Sequence, residues 1–167
     1  MTRPTYDAYF MSLAHAAATM GTCSRRKVGA IAVRDKRVLA TGFNGAPAGT
    51  HHCEHERWVC PPRLEALGFE SVDADPDLVT INGRPSCSNA VHAEANVLAY
   101  AAADGVALRG STIYTNTYPC HGCAKQMVSC GIREVVFDAD YNNDPLVARL
   151  CEESGMKLRR YEPKEAQ

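Results

Sequence analysis

The sequence predicts one α/β domain in three layers, α-β-α, around a central five-stranded mixed sheet. Three observations carry that expectation. Two β-prone runs in the first part of the chain are split by a short charged turn, the pattern of an antiparallel hairpin. The second half alternates strand and helix patterns, as parallel β-α-β units do. The length, 167 residues, suits a single domain with a core of its own and no need of disulfides.

The first element is a helix. Tyr6, Tyr9, Phe10, Leu13, Ala17 and Met20 recur at helical steps, giving an apolar stripe to pack on one sheet face, and Gly21 closes it. Val28 to Val33 and Val38 to Phe43 are the two β-prone runs, with Arg34-Asp35-Lys36-Arg37 as the turn between them. From about 45 to 89 the single domain, 1–167, carries an inserted irregular lobe rich in Pro, Gly, Cys, His and charge. Only Leu64 to Phe69 and Leu78 to Ile81 suggest local structure there, and a loop that long inside a domain is usually functional.

Val91, Ala95, Leu98 and Ala99 then share a helical face that runs to about Asp104, before Gly105. Ser111 to Thr115 reads as a strand, Pro119 fits the first turn of a helix through Cys130, and Gly131 stands where a C-cap belongs. Val135 to Phe137 is the next strand. Pro145 opens a helix that Gly155 ends, and Lys157 to Tyr161 is the last strand.

Composition narrows the function. A formal net charge of -1 lacks the basic footprint needed to bind a long nucleic acid, so a small polar substrate is expected. No apolar run reaches membrane-spanning length, and Met1-Thr2-Arg3-Pro4-Thr5 lacks the apolar core of a secretory signal. The expected location is the cytoplasm, with no membrane partner. There, eight cysteines are better read as metal ligands and thiols than as a disulfide framework. Cys130 and Cys151 fall on apolar helix faces and read as core.

The chemistry concentrates in His92-Ala93-Glu94 and Pro119-Cys120-His121-Gly122-Cys123. One imidazole and two thiolates (His92, Cys120, Cys123) form the donor set of a catalytic zinc, which keeps its fourth tetrahedral position for water. Each half stands at the start of a predicted helix, so the positive helix ends face the metal and favour thiolates. Zinc lowers the pKa of bound water from about 15.7 toward 7, and Glu94 can accept that proton and pass it on. The plain alternative for Glu94 is a helix-capping carboxylate.

With both halves present, the chain resembles the zinc-dependent nucleobase deaminases. Over most of its length it is similar to the deoxycytidylate deaminases, which convert dCMP to dUMP and ammonia and supply dUMP for thymidylate synthesis. The matching residues are Tyr9-Phe10-Met11, Lys27-Val28-Gly29-Ala30, Gly42-Phe43-Asn44-Gly45-Ala46-Pro47-Ala48-Gly49, His92-Ala93-Glu94-Ala95-Asn96, Cys120 to Lys125, and Gly131-Ile132 to Phe137. The resemblance implies the cytidine-deaminase-like fold. It carries to Asn44 an approach to the nucleotide sugar, beside the plain reading of Asn-Gly as a turn, and it places Tyr141 near the base, beside the plain reading of a surface tyrosine. Relatives commonly form hexamers, and many respond to dCTP and dTTP, with Mg2+ accompanying a nucleotide effector.

The nucleotide phosphate needs cationic donors, and Arg25 and Arg26, in Ser24-Arg25-Arg26-Lys27, lie where the first helix leads into the first strand. Their plain alternative is a solvated basic turn. Cys23, Cys53, Cys60 and Cys87 are not used by the catalytic motif. Some relatives hold a second, structural zinc in this region, and four thiolates suit one; His51, His52 or His55 can replace a cysteine, and free buried cysteines are the alternative. Two other functions stay open at this level. One is deamination of another base, nucleoside or nucleotide (dCTP, cytidine, modified dCMP, adenosine in transfer RNA). The other is a non-catalytic zinc-binding interaction module.

Overall fold

The computed structural model describes residues 3–23, 26–50, 52, 78–81, 84–87, 89–141 and 143–163. In chain order the elements are α1 (Tyr6–Ala18), β1 (Gly29–Arg34), β2 (Arg37–Phe43), β3 (Leu78–Ile81), β4 (Arg84–Cys87), α2 (Ala93–Ala103), β5 (Thr112–Thr117), α3 (His121–Ser129), β6 (Glu134–Ala139), α4 (Pro145–Ser154) and β7 (Lys157–Arg160). The main sheet has the order β2-β1-β5-β6-β7, and β3 pairs with β4 in a separate hairpin. β1 is antiparallel to β2 and to β5, whereas β5, β6 and β7 run parallel. This is the five-stranded mixed sheet the sequence predicts.

Alternation along the strands builds the two faces. Ile31, Val33, Tyr114 and Val136 point to α1 and pack with Phe10, Met11 and Ala14. Ala30, Ala32, Ile113 and Val135 point the other way and pack with Val97 and Leu98 of α2, Met127 of α3 and Val147 and Cys151 of α4. One helix covers one face and three cover the other, which completes the three layers.

Several boundaries differ from expectation for physical reasons. The buried face of α1 is Phe10, Met11, Ala14 and Ala18, while Tyr6, Tyr9 and Met20 of the expected stripe are exposed. The helix is rotated because its backbone rests directly on β1. A Cβ on Gly29 would collide with the Ala14 carbonyl and the Ala18 amide, so small residues must face the strand. The β1–β2 turn is shorter than the four charged residues suggest, with only Asp35 and Lys36 between the strands, at φ of 52° and 62°. Positive φ at both central residues is the two-residue hairpin turn whose twist matches its strands.

Asn44-Gly45 is not a turn. Gly45 exchanges backbone hydrogen bonds with Val91 at 3.1 and 2.8 Å, and the chain reverses later, where the Thr50 N–H donates to the Pro47 carbonyl. Gly45 is needed for close approach, since a Cβ there would strike the Thr22 hydroxyl. Cys130 is a second correction: it caps the end of α3 and is exposed, whereas Cys151 is buried as expected. The expected structure at Leu64 to Phe69 lies outside the described residues, and Leu78 to Ile81 is strand β3. Among the described residues, no helix is long and apolar enough to cross a membrane.

Candidate active site

Helix beginnings position the candidate metal ligands. His92 is the N-cap of α2 and makes no capping bond with its side chain, which leaves the ring to meet Cys120 and Cys123. Cys120 is the N-cap of α3, and its sulfur accepts the Cys123 N–H at 3.4 Å. Pro119 therefore precedes the cap instead of lying inside the first turn, because Cys120 itself does the capping. α2 is anchored through the Val91–Gly45 bridge and α3 follows β5, so the two helix starts meet beside the sheet.

The donor atoms of His92, Cys120 and Cys123 lie within 4.8 Å of one another. His92 Nδ1 is 3.3 Å from Cys120 Sγ and 3.5 Å from Cys123 Sγ. Tetrahedral zinc with ordinary Zn–N and Zn–S bonds separates such a pair by about 3.5 Å, so both His–Cys separations suit the ion. The electrostatics agree. Hydrogen bonding from the Cys123 thiol, then from the His92 ring and the Cys123 N–H, brings Cys120 down to about 4 against the opposing effect of burial. The same contact pushes the Cys123 thiol up, aided by its burial. The hydrogen bond with Cys120 raises His92 to about 8. Three donors that share protons so closely are a set from which a divalent cation displaces them.

Glu94 lies in the first turn of α2 and is only 4% exposed, with no place among the metal donors. Burial, above all, holds its carboxyl above the usual carboxylate range. His92, Glu94 and Cys120 line a cavity of about 290 Å³, together with Cys23, Arg26, Val28, Asn44, Thr117, Tyr118 and Tyr141.

Of the other expected residues, Arg26 and Tyr141 meet, with the guanidinium carbon 4.9 Å from the centre of the ring. Lys27 turns away and donates to the Thr19 carbonyl at 3.2 Å, at the end of α1. Asn44 reaches the cavity wall, but its amide is engaged: Oδ1 accepts the Val28 N–H at 2.8 Å and Nδ2 donates to the Arg26 carbonyl at 2.7 Å. Cys23 is buried at the same wall. Arg25, Cys53 and Cys60 lie outside the described residues, as does the side chain of Cys87, whose backbone ends β4. Thr117, Tyr118 and Val28 were not singled out from the sequence. Thr117 and Tyr118 sit just before the Pro-Cys motif, and that adjacency is the signal that could have found them.

The description "Cytidine and deoxycytidylate deaminase zinc-binding region" matches residues 4–139. The deoxycytidylate deaminase of Mycobacterium phage D29 is 41% identical over 137 residues, covering 82% of this chain and 97% of that protein. The deoxycytidylate deaminase of Schizosaccharomyces pombe is 36% identical over 163 residues, 98% of this chain but 46% of that longer protein. Among solved structures, the dCMP deaminase of cyanophage S-TIM5 in complex with dCMP and dUMP superposes with a TM-score of 0.72 at 24% identity, covering 96% of this chain and 100% of that one, which shows the shared fold. The chain thus belongs to the cytidine and deoxycytidylate deaminase zinc-binding family.

Proposed function

We propose that this protein is a zinc-dependent dCMP deaminase that converts dCMP and water to dUMP and ammonia. The observation that carries the reading is the buried carboxyl of Glu94 beside the His92, Cys120 and Cys123 donor set, on one cavity with Arg26 at its wall. His92, Cys120 and Cys123 would hold the zinc, which would supply Lewis acidity and lower the pKa of water toward neutrality. Glu94 takes the proton of the attacking water on its carboxylate, hands it to the ring nitrogen of cytosine, and carries a second proton to the departing amino group. Burial, which favours the neutral acid, suits Glu94 to the donating half of that cycle. Arg26 faces the phosphate, Asn44 lies at the sugar side of the wall, and Tyr141 flanks the mouth. Arg25 is the second cationic candidate.

The finer features are part of the same proposal. A second, structural zinc held by Cys23, Cys53, Cys60 and Cys87 is supported by the presence of four cysteines that the catalytic trio does not use. A cytoplasmic location is supported by the thiols: Cys23, Cys120, Cys123, Cys130 and Cys151 form no disulfide. A homo-oligomer, hexameric by resemblance, and regulation by dCTP and dTTP with Mg2+ are supported by the family resemblance, as is a single domain over 1–167.

Ammonia release from dCMP, deoxycytidine, cytidine and dCTP, measured side by side, tests the function. The expected result is turnover of dCMP well above the others. Preference for a nucleoside or for dCTP would reassign the substrate, and no ammonia from any of them with zinc bound would leave a non-catalytic zinc module.

A further inference from the structure

β1 begins at Gly29, and residues 26–28 before it belong to no strand, although Arg26 and Val28 line the cavity and the Val28 carbonyl accepts the Asn44 N–H at 2.9 Å. Two asparagine side chains supply the other backbone partners of this stretch. On the β2 side, Asn44 Oδ1 accepts the Val28 N–H at 2.8 Å and Nδ2 donates to the Arg26 carbonyl at 2.7 Å. On the β5 side, Asn116 Oδ1 accepts the Gly29 N–H and its Nδ2 donates to the Lys27 carbonyl, both at 3.1 Å. Each amide thus holds a carbonyl at one residue and the N–H two residues on, the spacing a neighbouring strand would use. The two sets interleave along 26–29.

Both bonds of Asn116 lie within three residues of Arg26 and extend the register of the β1–β5 pair, which ends at Ala30 opposite Thr115. Asparagine is a poor strand former, so its place in β5 asks for a reason other than pairing propensity. Asn116 is absent from the cavity lining, whereas its neighbour Thr117 and the clamped Arg26 line it. Its bonds act on the substrate only through the backbone they fix.

The geometry points to Asn116 as a positioning residue that sets the specificity of the reaction for a 5′-phosphorylated nucleotide by fixing the chain that presents Arg26. This rests on the reading of Arg26 as the phosphate-binding residue. The chemistry at Glu94 does not depend on it.

The test compares dCMP with deoxycytidine in zinc-loaded protein. Asn116→Ala is expected to raise KM for dCMP about tenfold, the contribution of one or two neutral hydrogen bonds, with kcat for dCMP and turnover of deoxycytidine unchanged. Asn116→Asp keeps an acceptor for Gly29 but replaces the donor to Lys27 with oxygen, and it should shift KM the same way, so the result does not hang on one variant folding. In an Arg26→Ala background, Asn116→Ala should remove no further preference for dCMP. Equal losses on both substrates, or a full effect that persists without Arg26, overturns the inference, as does a wild-type preference for dCMP that both variants retain. A wild type that does not distinguish dCMP from deoxycytidine overturns the phosphate reading and this inference with it.

Discussion

The guanidinium carbon of Arg26 stands 4.9 Å from the centre of the Tyr141 ring, so the chain entering β1 and the chain leaving β6 touch across the wall of the catalytic cavity. A cation on an aromatic face at an exposed place contributes about 0.5–1 kcal/mol. A phosphate on the same guanidinium contributes more, about 1.5–3 kcal/mol. Arg26→Ala should therefore cost roughly 10- to 100-fold in kcat/KM for dCMP, while deoxycytidine is turned over nearly as before. Tyr141→Ala should cost only about two- to fivefold. Equal losses on nucleotide and nucleoside would move the phosphate site away from Arg26.

Glu94→Ala should keep the zinc and the fold and lose turnover. The carboxyl is buried beside the donors without being one of them, so its removal leaves the trio whole. General acid-base groups contribute about 10²- to 10⁴-fold, and one that serves several transfers belongs at the upper end. Metal analysis and steady-state kinetics on the same preparation check both halves. A variant that retained a tenth of wild-type turnover would remove Glu94 from the mechanism.

Metal content separates the two proposed zinc sites. The wild-type chain should hold two zinc ions, Cys123→Ser one without activity, and Cys53→Ser one with the catalytic ligands intact and a lower melting temperature, since a structural zinc contributes its binding energy to folding. One zinc per chain in fully active protein rules out the second site.

Gly29→Ala should unfold or severely destabilise the protein, because the new methyl meets backbone of α1 at Ala14 and Ala18 and neither can swing aside as a side chain can. A cost of about 1–3 kcal/mol or more is expected, read as a loss of melting temperature. An unchanged melting temperature would mean that α1 sits farther from the sheet.

Tyr114 gives alkaline stability a sign. Its hydroxyl donates to Asp7 Oδ1 at 2.7 Å, and Asp7 pairs with Arg159 at 2.9 Å. Burial first, then the bond to Asp7 and its charge, push the phenol well above its usual 10. A pKa raised in the folded state contributes stability that is complete below the unfolded value and is lost as pH rises beyond it. Melting temperature should thus fall above about pH 10, and Tyr114→Phe, less stable at neutral pH by about 1 kcal/mol, should fall less steeply. A parallel decline in both proteins would assign the loss to other groups.

The sheet and the grouping of His92, Cys120 and Cys123 were legible because each rests on a short-range signal: β-prone apolar runs for β1, β2 and β6, and motif spacing for the three donors. The buried face of α1 was not legible, since burial there is set by a glycine in another element, Gly29, that admits only Ala14 and Ala18. Asn44 shows the same limit. Its role depends on where the backbone of Arg26 and Val28 lies, and its neighbourhood with Gly45 suggested a turn that the Val91 bridge replaces. Asn116 was missed altogether. It has no motif, and only the end of the β1–β5 pairing gives its amide a purpose.

His92 and Cys120 are 28 residues apart in sequence, with α2 and β5 between them. An ion gripped by both is a cross-link, and it closes that stretch into a ring. Unlike a disulfide it would leave the chain on unfolding, so it would add its binding free energy to the folded state. A metal held there for chemistry would thus also fasten the start of α2 to the start of α3.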